Sequence, residues 1–334
     1  MPNSGTRILI VAPAWVGDMV MAHSLVQVLI ARHGDPGIDM LAPRATAGLG
    51  ARMPGVRNVH VLDVEHGELA LGARRSSGLT LKDQYDQAIV LPNSFKSALA
   101  PAWARIPVRT GWSGEARVGV LNDRRRLNPE RYPRMVDRFA ALGLDPDAPL
   151  PDDIPGPVLE PDAAAAERLL ASRRLSVDGG VTALCPGAEF GPAKRWPSVH
   201  FAQVASYAAA QGHQVWLVGS PKDAGVCSEV EAQSPAGVVN LAGRTTLLEA
   251  VDLLSRADRV VSNDSGLMHV ASALGRPVVG VFGSTSTTFT PPLGERATTV
   301  SLGIECSPCF QRECPLGHLR CLNDLPPQRV IELL

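Results

Sequence analysis

Apolar and polar residues alternate along the chain in the order expected of strand, loop and helix. Arg7–Ala12 is a short β-branched run, as expected for a strand covered on both faces, and Met19–Arg32 has the spacing of an amphipathic helix. The same pattern continues with strands predicted at Ile38–Leu41, Val59–Leu62, Ala88–Leu91 and Val108–Gly111, and a helix at Ser94–Ala104. This half of the chain therefore predicts an open parallel sheet of the α/β class.

The pattern is interrupted between Asp145 and Pro161, where repeated prolines remove backbone donors and fix φ. It then restarts with predicted strands at Val181–Cys185, Gln214–Val218, Val238–Leu241, Arg259–Ser262 and Pro277–Phe282, separated by predicted helices at Asp162–Arg174, Ser198–Gln211, Asp223–Ala232, Thr246–Ala257 and Gly266–Leu274. We therefore predict two doubly wound domains, residues 1–155 and 156–334, facing each other across a cleft. Ligands of such sheets lie beyond the carboxyl ends of the strands, so the loops that follow strands are where chemistry is expected.

Composition narrows the function. The 334 residues carry a formal net charge of −1, which argues against binding of duplex DNA by phosphate neutralisation. No stretch approaches the roughly 18 consecutive apolar residues that a membrane span requires, and Asp18 interrupts the apolar start, so we expect a cytoplasmic protein. An anion-binding site would therefore depend on a few basic residues close together and not on the overall charge of the chain.

The loop after the first strand places Gly17 and Asp18 before the predicted helix and contains no GxGxxG fingerprint. A carboxylate held there on a rigid element is well placed to act as a general base. The alternative is that Asp18 caps the helix, a common role for aspartate. The two roles conflict, because the helix dipole stabilises the carboxylate and weakens it as a base.

Three loops of the second half carry candidate anion ligands. Lys194 and Arg195 stand just before a predicted helix, where an ammonium suits a phosphate group, although a solvated basic pair is the more common arrangement. The segment Ser262–His269 has small residues that leave backbone N–H groups open at a helix start. In it Asp264 fits an acceptor for sugar hydroxyls or a cap, and a hydroxyl-rich loop, Gly283–Thr288, is a weaker candidate of the same kind.

Four cysteines, Cys306, Cys309, Cys314 and Cys321, are concentrated near the C-terminus. They offer enough soft ligands for zinc, but they lack the paired CxxC knuckles of well-known sites, so reduced thiols are the favoured interpretation. The basic run Arg124–Arg126 is interpreted as a solvated turn. No DxD motif is placed to hold a metal beside a diphosphate.

Taken together, these segments resemble the heptosyltransferases of lipopolysaccharide inner-core assembly, glycosyltransferase family 9. The resemblance runs from about Arg7 to the C-terminus and is carried by six motifs, APAWVGDMVMA, TGWSGEARVGVLND, CPGAEFGPAKRWP, SNDSGLMHVASALG, GSTSTTFTPPL and CSPCFQRECPLGHLRC. It implies the GT-B fold, with two Rossmann-like domains, an N-terminal one for the acceptor and a C-terminal one for the nucleotide sugar. It also implies an inverting transfer that requires no cofactor and no metal.

Residue roles are implied by the same resemblance. Asp18 matches the family's candidate base, and Lys194 matches the lysine that neutralises the leaving diphosphate. Asp223 matches an acidic residue that contacts the adenosine ribose. Further substrate contacts are expected at Gly187, Glu189, Asp264, Ser265, Gly266, His269, Lys96 and Arg109.

The partners implied are an ADP-heptose donor and a lipid A-linked inner-core acceptor, with the first heptose as the expected point of transfer. Such an acceptor implies peripheral contact with the inner face of the inner membrane, and no nucleic acid. Three alternatives remain open: another heptosyltransferase of the family that acts on the first or a later heptose, a nucleotide-sugar epimerase on the same fold, and a non-catalytic nucleotide-binding module. The last would bind ADP without turning over any acceptor.

Overall fold

The structure, a computed structural model, describes residues 5–64 and 67–334. The chain divides into two compact units, Met1–Leu159 (unit 1) and Glu160–Leu334 (unit 2). Among the described residues, no helix is long and apolar enough to cross a membrane.

Unit 1 contains a parallel sheet, and the strands in the middle of that sheet are buried. The strands are β1 Arg7–Val11, β2 Gly37–Pro43, β3 Val56–Leu62, β4 Gln87–Val90, β5 Val108–Trp112 and β6 Asp123–Arg125. Its helices are α1 Val16–Met21, α2 His23–His33, α3 Arg44–Gly50, α4 Leu71–Thr80, α5 Leu99–Trp103 and α6 Met135–Leu142, with a 3₁₀ turn at Phe95–Ala98. The strand order β3-β2-β1-β4-β5-β6 is that of the doubly wound Rossmann sheet.

Unit 2 repeats this topology. Its strands are β7 Val181–Cys185, β8 Gln214–Leu217, β9 Val239–Asn240, β10 Arg259–Asn263, β11 Val278–Val281 and β12 Ala297–Val300, in the order β12-β11-β10-β7-β8-β9. Its helices are α7 Ala163–Arg173, α8 Ser198–Ala210, α9 Ala224–Ala232, α10 Leu247–Leu254, α11 Gly266–Ala273, α12 Arg320–Asn323 and α13 Gln328–Ile331, with 3₁₀ turns at Pro192–Lys194 and Pro221–Asp223. Each unit is therefore a Rossmann-like domain, as the alternation of elements predicts.

Both sheets reverse their strand order at one point, and that point decides where ligands bind. In unit 1 the reversal lies between β1 and β4, and in unit 2 between β7 and β10. Crevices form outside the carboxyl ends of the strands at such reversals. The loops singled out in the sequence after β1, β7 and β10 all begin there.

The proline-rich segment contains neither helix nor strand, and its last residues are held by unit 1. Ser24 Oγ donates to the Pro155 carbonyl at 2.7 Å, and the Val158 N–H donates to His23 Nδ1 at 2.9 Å. These bonds attach the segment to α2 as far as Val158. The boundary between the compact units consequently lies after Leu159 and not at the predicted 155/156.

Candidate active site

A buried ion pair links the two loops of unit 2 that follow β7 and β10. Lys194 Nζ donates to Asp264 Oδ2 at 2.6 Å, with side chains that are 14% and 4% exposed. The Thr285 hydroxyl donates to the same carboxylate oxygen at 2.5 Å. The ammonium also lies 5.0 Å from the centroid of the Phe190 ring. The sequence predicted Lys194 and Asp264 as separate ligands, and the structure brings them together.

Asn263 holds these two loops in register. This fully buried residue ends β10, and its side-chain N–H donates to the Pro186 carbonyl at 2.7 Å. Its side-chain oxygen accepts from the Trp196 N–H at 3.1 Å. Neither Asn263 nor Thr285 was predicted as an individual site residue, although they lie in the candidate loops Ser262–His269 and Gly283–Thr288.

His269 lies one turn into α11 and is 6% exposed. Burial lowers its pKa to about 4; the neighbouring Asp264 carboxylate acts to raise it and the Lys194 ammonium to lower it. The imidazole is therefore neutral at pH 7. It can exchange hydrogen bonds with a ligand, but Lys194 is the cation at this place.

Asp264 does not cap α11. The N-cap is Ser265, which makes no capping side-chain bond, while its hydroxyl lies 3.1 Å from that of Ser262. Gly266 is the first residue of the helix. Ser265 and Gly266 therefore form the start of α11, as their spacing predicts, and they follow Asp264 of the ion pair directly in the chain.

Gly187 and Asp223 meet at the carboxyl ends of β7 and β8. The Asp223 carboxylate accepts from the Ser220 N–H at 2.9 Å and from the Ser220 hydroxyl at 2.7 Å. A Cβ on Gly187 would lie 2.2 Å from the Asp223 carboxyl carbon, so only glycine permits this approach. Glu189, in contrast, is half-exposed and pairs with the exposed Lys222.

The loop after β1 opens onto a cavity of 1180 Å³ within unit 1. Asp18 and Lys96 both line it, Asp18 from the first turn of α1 and Lys96 from the 3₁₀ turn after β4. The other charged residues of the lining are Arg44, Arg74, Arg138, Asp63 and Glu68. Arg44 pairs with Asp63 at 3.0 Å. The cavity therefore offers one carboxylate at the helix start and several cations around it.

The prediction that Asp18 could be the N-cap of the helix is wrong. The helix starts three residues earlier than the spacing predicts, with Trp15 at the N-cap, so Gly17 lies in the helix and makes no sharp turn. Asp18 is the third helical residue. Its carboxylate lies in the first turn, where the helix dipole still stabilises the anion.

The structure places Arg109 away from this cavity. It is the second residue of β5, in register with Ala88, at the opposite end of the sheet from the cavity. Its guanidinium donates to the carbonyls of Val120 at 2.7 Å and Ile106 at 2.6 Å. Arg109 therefore binds backbone in the structure, contrary to the expectation that it contacts substrate.

The prediction of a solvated turn at Arg124–Arg126 is wrong about the turn, while Arg124 and Arg126 are exposed as predicted. Asp123–Arg125 is the edge strand β6, and Arg125 Nη1 donates to the Ala141 and Leu144 carbonyls, both at 2.7 Å.

Within residues 5–64 and 67–334, no three or more His, Cys, Asp or Glu side chains are arranged to hold a metal ion.

Comparisons with known proteins show the family to which the chain belongs. The model of "Glycosyltransferase family 9 (heptosyltransferase)" matches residues 74–320. The chain is 43% identical to lipopolysaccharide heptosyltransferase 2 of Salmonella typhimurium, over 98% of this chain and 97% of the relative. It is 44% identical to lipooligosaccharide heptosyltransferase 2 of Haemophilus influenzae, over 98% of each.

A solved structure is similar over the same length. The E. coli ADP-heptose lps heptosyltransferase II superposes with a TM-score of 0.88 at 41% identity, covering 98% of this chain and 97% of that one. Sequence identity, chain coverage and fold thus agree, and the two Rossmann-like units are those of the GT-B architecture. The chain belongs to glycosyltransferase family 9, the heptosyltransferases.

Proposed function

We propose that the protein transfers a heptose from ADP-L-glycero-β-D-manno-heptose to the first heptose of the lipopolysaccharide inner core, with inversion at the anomeric carbon. Unit 2 binds the nucleotide sugar and unit 1 binds the acceptor. The observation that carries the proposal is the buried Lys194–Asp264 pair with Thr285, at the sheet reversal of unit 2. The names of the similar proteins support the substrate assignment.

The Lys194 ammonium is the group that meets the leaving ADP. In the structure its charge is balanced by Asp264, which fixes its position before the donor binds. As the glycosidic C–O bond breaks, negative charge grows on the diphosphate, and a cation already in place stabilises that charge without reorganisation. Thr285 donates to the same carboxylate, so Asp264 stays held and keeps the ammonium in place when the phosphate arrives.

The remaining groups of unit 2 place the donor. Ser265 and Gly266 offer the backbone N–H groups at the start of α11 to the phosphates. Neutral His269 supplies a hydrogen bond without adding charge. Asp223, beside Gly187, and Glu189 lie after β8 and β7, where the adenosine ribose would be received.

Asp18 is proposed as the base. It accepts the proton of the attacking acceptor hydroxyl while the new C–O bond forms and the electrons of the old one leave with ADP. The helix dipole makes the carboxylate a weak base, so the transfer is concerted with the departure of ADP. Lys96 lines the same cavity, and there it would contact an anionic acceptor.

A lipid A-linked acceptor would bring the enzyme to the cytoplasmic face of the inner membrane as a peripheral protein. No metal is required by the mechanism proposed, because Lys194 and backbone N–H groups meet the leaving-group charge. The test is to incubate the protein with ADP-heptose and inner-core acceptors that carry no, one or two heptoses, in EDTA, and to identify products by mass. Transfer only to the one-heptose acceptor is the expected result. Transfer to another acceptor would assign a different step, and donor isomerisation without any acceptor would favour the epimerase.

A further inference from the structure

The four cysteines of the C-terminal segment line one small cavity of unit 2. Its volume is 190 Å³, and its lining includes Cys306, Cys309, Cys314, Cys321, Ser284 and His318. None of these four cysteines is in a disulfide bond. The cavity therefore brings four thiols together.

The thiols of this cluster differ in character. The pKa of Cys314 is lowered chiefly by the backbone N–H of Leu319, whose nitrogen lies 3.5 Å from Sγ, and also by neighbouring N–H groups of the same turn. The pKa of Cys321 is raised by burial and by the three nearby thiols. Because the thiolate is the nucleophile, the N–H groups that surround Cys314 Sγ favour this sulfur as the attacking one.

The cavity also contains a buried hydroxyl without a hydrogen-bond partner. Ser284 is 1% exposed, and its Oγ has no partner within the described part of the chain. Leaving such a group unsatisfied is unfavourable, so this hydroxyl points to a small polar molecule as occupant. The surrounding wall is largely apolar, formed by Ala193, Pro315, Leu316 and Leu319.

We propose that this cavity is a site at which a hydroperoxide oxidises Cys314, after which a second thiol of the cluster closes a disulfide. The Cys314 thiolate sulfur attacks one peroxide oxygen, the O–O bond breaks, and its electrons leave with the other oxygen as hydroxide or alkoxide, which the Ser284 hydroxyl stabilises. The second thiol then attacks the sulfenic sulfur, an S–S bond forms, and the hydroxyl leaves as water with the thiol proton. The peroxide gains the two electrons that the two thiols lose.

The cysteine-bearing segment, residues 306–321, contacts the loop that carries Lys194 and the loop after β11 that carries Thr285. The Ala193 N–H donates to the Arg312 carbonyl at 3.1 Å, and the Phe310 N–H donates to the Ser284 carbonyl at 2.7 Å. The Arg312 guanidinium lies 5.2 Å from the centroid of the Phe190 ring, the ring that also faces Lys194. A disulfide within residues 306–321 would therefore displace Lys194 and weaken ADP binding, a consequence that rests on the proposed function.

The experiment treats the full, reduced chain with limiting hydrogen peroxide and follows the thiols directly. A sulfenic-acid probe with peptide mass mapping locates the first oxidised residue, and disulfide mapping locates the partner. The variants are Cys314→Ser, the matched control Cys306→Ser, and Ser284→Ala, each checked for folding by circular dichroism. Calorimetry with ADP, before and after oxidation and after dithiothreitol, gives a separate readout.

The expected result is a probe adduct on Cys314, absent in Cys314→Ser and kept in Cys306→Ser, with oxidation slowed about two- to tenfold in Ser284→Ala. The Kd for ADP should rise about tenfold or more on oxidation and recover on reduction. Adducts that form on Cys306 no later than on Cys314 in the wild-type chain would overturn the assignment, and this comparison holds even if Cys314→Ser does not fold. One zinc per chain, lost in Cys314→Ser, would also overturn it. If the reduced protein does not bind ADP at all, the proposed function fails, while the thiol mapping still decides the site.

Discussion

Substituting Lys194 with methionine will leave the Asp264 carboxylate charged inside unit 2, with the Thr285 hydroxyl still donating to it. The carboxylate is 4% exposed, and removing one partner of a buried pair typically costs about 3–5 kcal/mol, because the other charge remains desolvated. Lys194→Met combined with Asp264→Asn removes both charges, so the double variant should regain part of this loss. We expect a coupling energy of about 2–3 kcal/mol.

The assay is urea unfolding of the four members of this cycle, followed by fluorescence and circular dichroism so that the unfolding of unit 2 is identified by coincident transitions. Arg195→Met is the matched control, because it removes the adjacent cation, and it should cost less than about 1 kcal/mol. Equal losses for Lys194→Met and Arg195→Met, or additive effects in the cycle, would refute the account of the pair. Either result would mean that the Lys194–Asp264 pair adds no coupled stabilisation to unit 2.

Three further predictions concern the same unit. The fold holds the pKa of His269 near 4, below its ordinary 6.5. The free energy of unfolding should therefore fall by about 3 kcal/mol as the pH drops from 6.5 through 4. In urea titrations at several pH values, His269→Gln should abolish this part of the loss of stability in acid. Gly187→Ala should lower the free energy of unfolding by about 1–3 kcal/mol and weaken ADP binding, because the new Cβ would collide with Asp223. Gly225→Ala is the control, because open space surrounds Gly225, and it should change neither property. Thermal unfolding measures the stability of both variants, and calorimetry measures their ADP binding. Transfer activity should be unchanged after dialysis against EDTA, and loss restored by magnesium would contradict the role of Lys194.

Much of the fold could be predicted from the sequence, because both sheets are built from buried apolar strands. The prediction of Val181–Cys185 matches β7, and the other predicted strands match to within a few residues. The segments that were missed lack this signal. β6 consists of three charged residues at a sheet edge, and β12 is a short edge strand with two threonines.

Sequence patterns gave wrong predictions where contacts between distant residues decide the structure. Apolar spacing continues through Ala22, so one helix was predicted where α1 and α2 are separate. The start of α1 has no side-chain cap to mark it. Arg109 carries the right charge, but only the strand register reveals that it lies at the wrong end of the sheet.

The sequence predicted which residues belong to the site, but it did not predict how they contact one another. Lys194 and Asp264 are 70 positions apart, and the loop spacing of each suggested its own contact with ligand. Their mutual ion pair, and the hydroxyl of Thr285 that completes it, depend on the adjacency of β7, β10 and β11. Sheet topology therefore supplies the information that motif spacing lacks.

The central claim is that Asp18 accepts the proton during heptosyl transfer, and its most direct test is the single-turnover rate of Asp18→Asn with ADP-heptose and a one-heptose acceptor. Asparagine keeps the shape of the side chain but cannot take the proton at pH 7, so we predict a rate lower by about 10²–10⁴, with unchanged affinity for ADP. A rate close to that of the wild-type enzyme would contradict the claim.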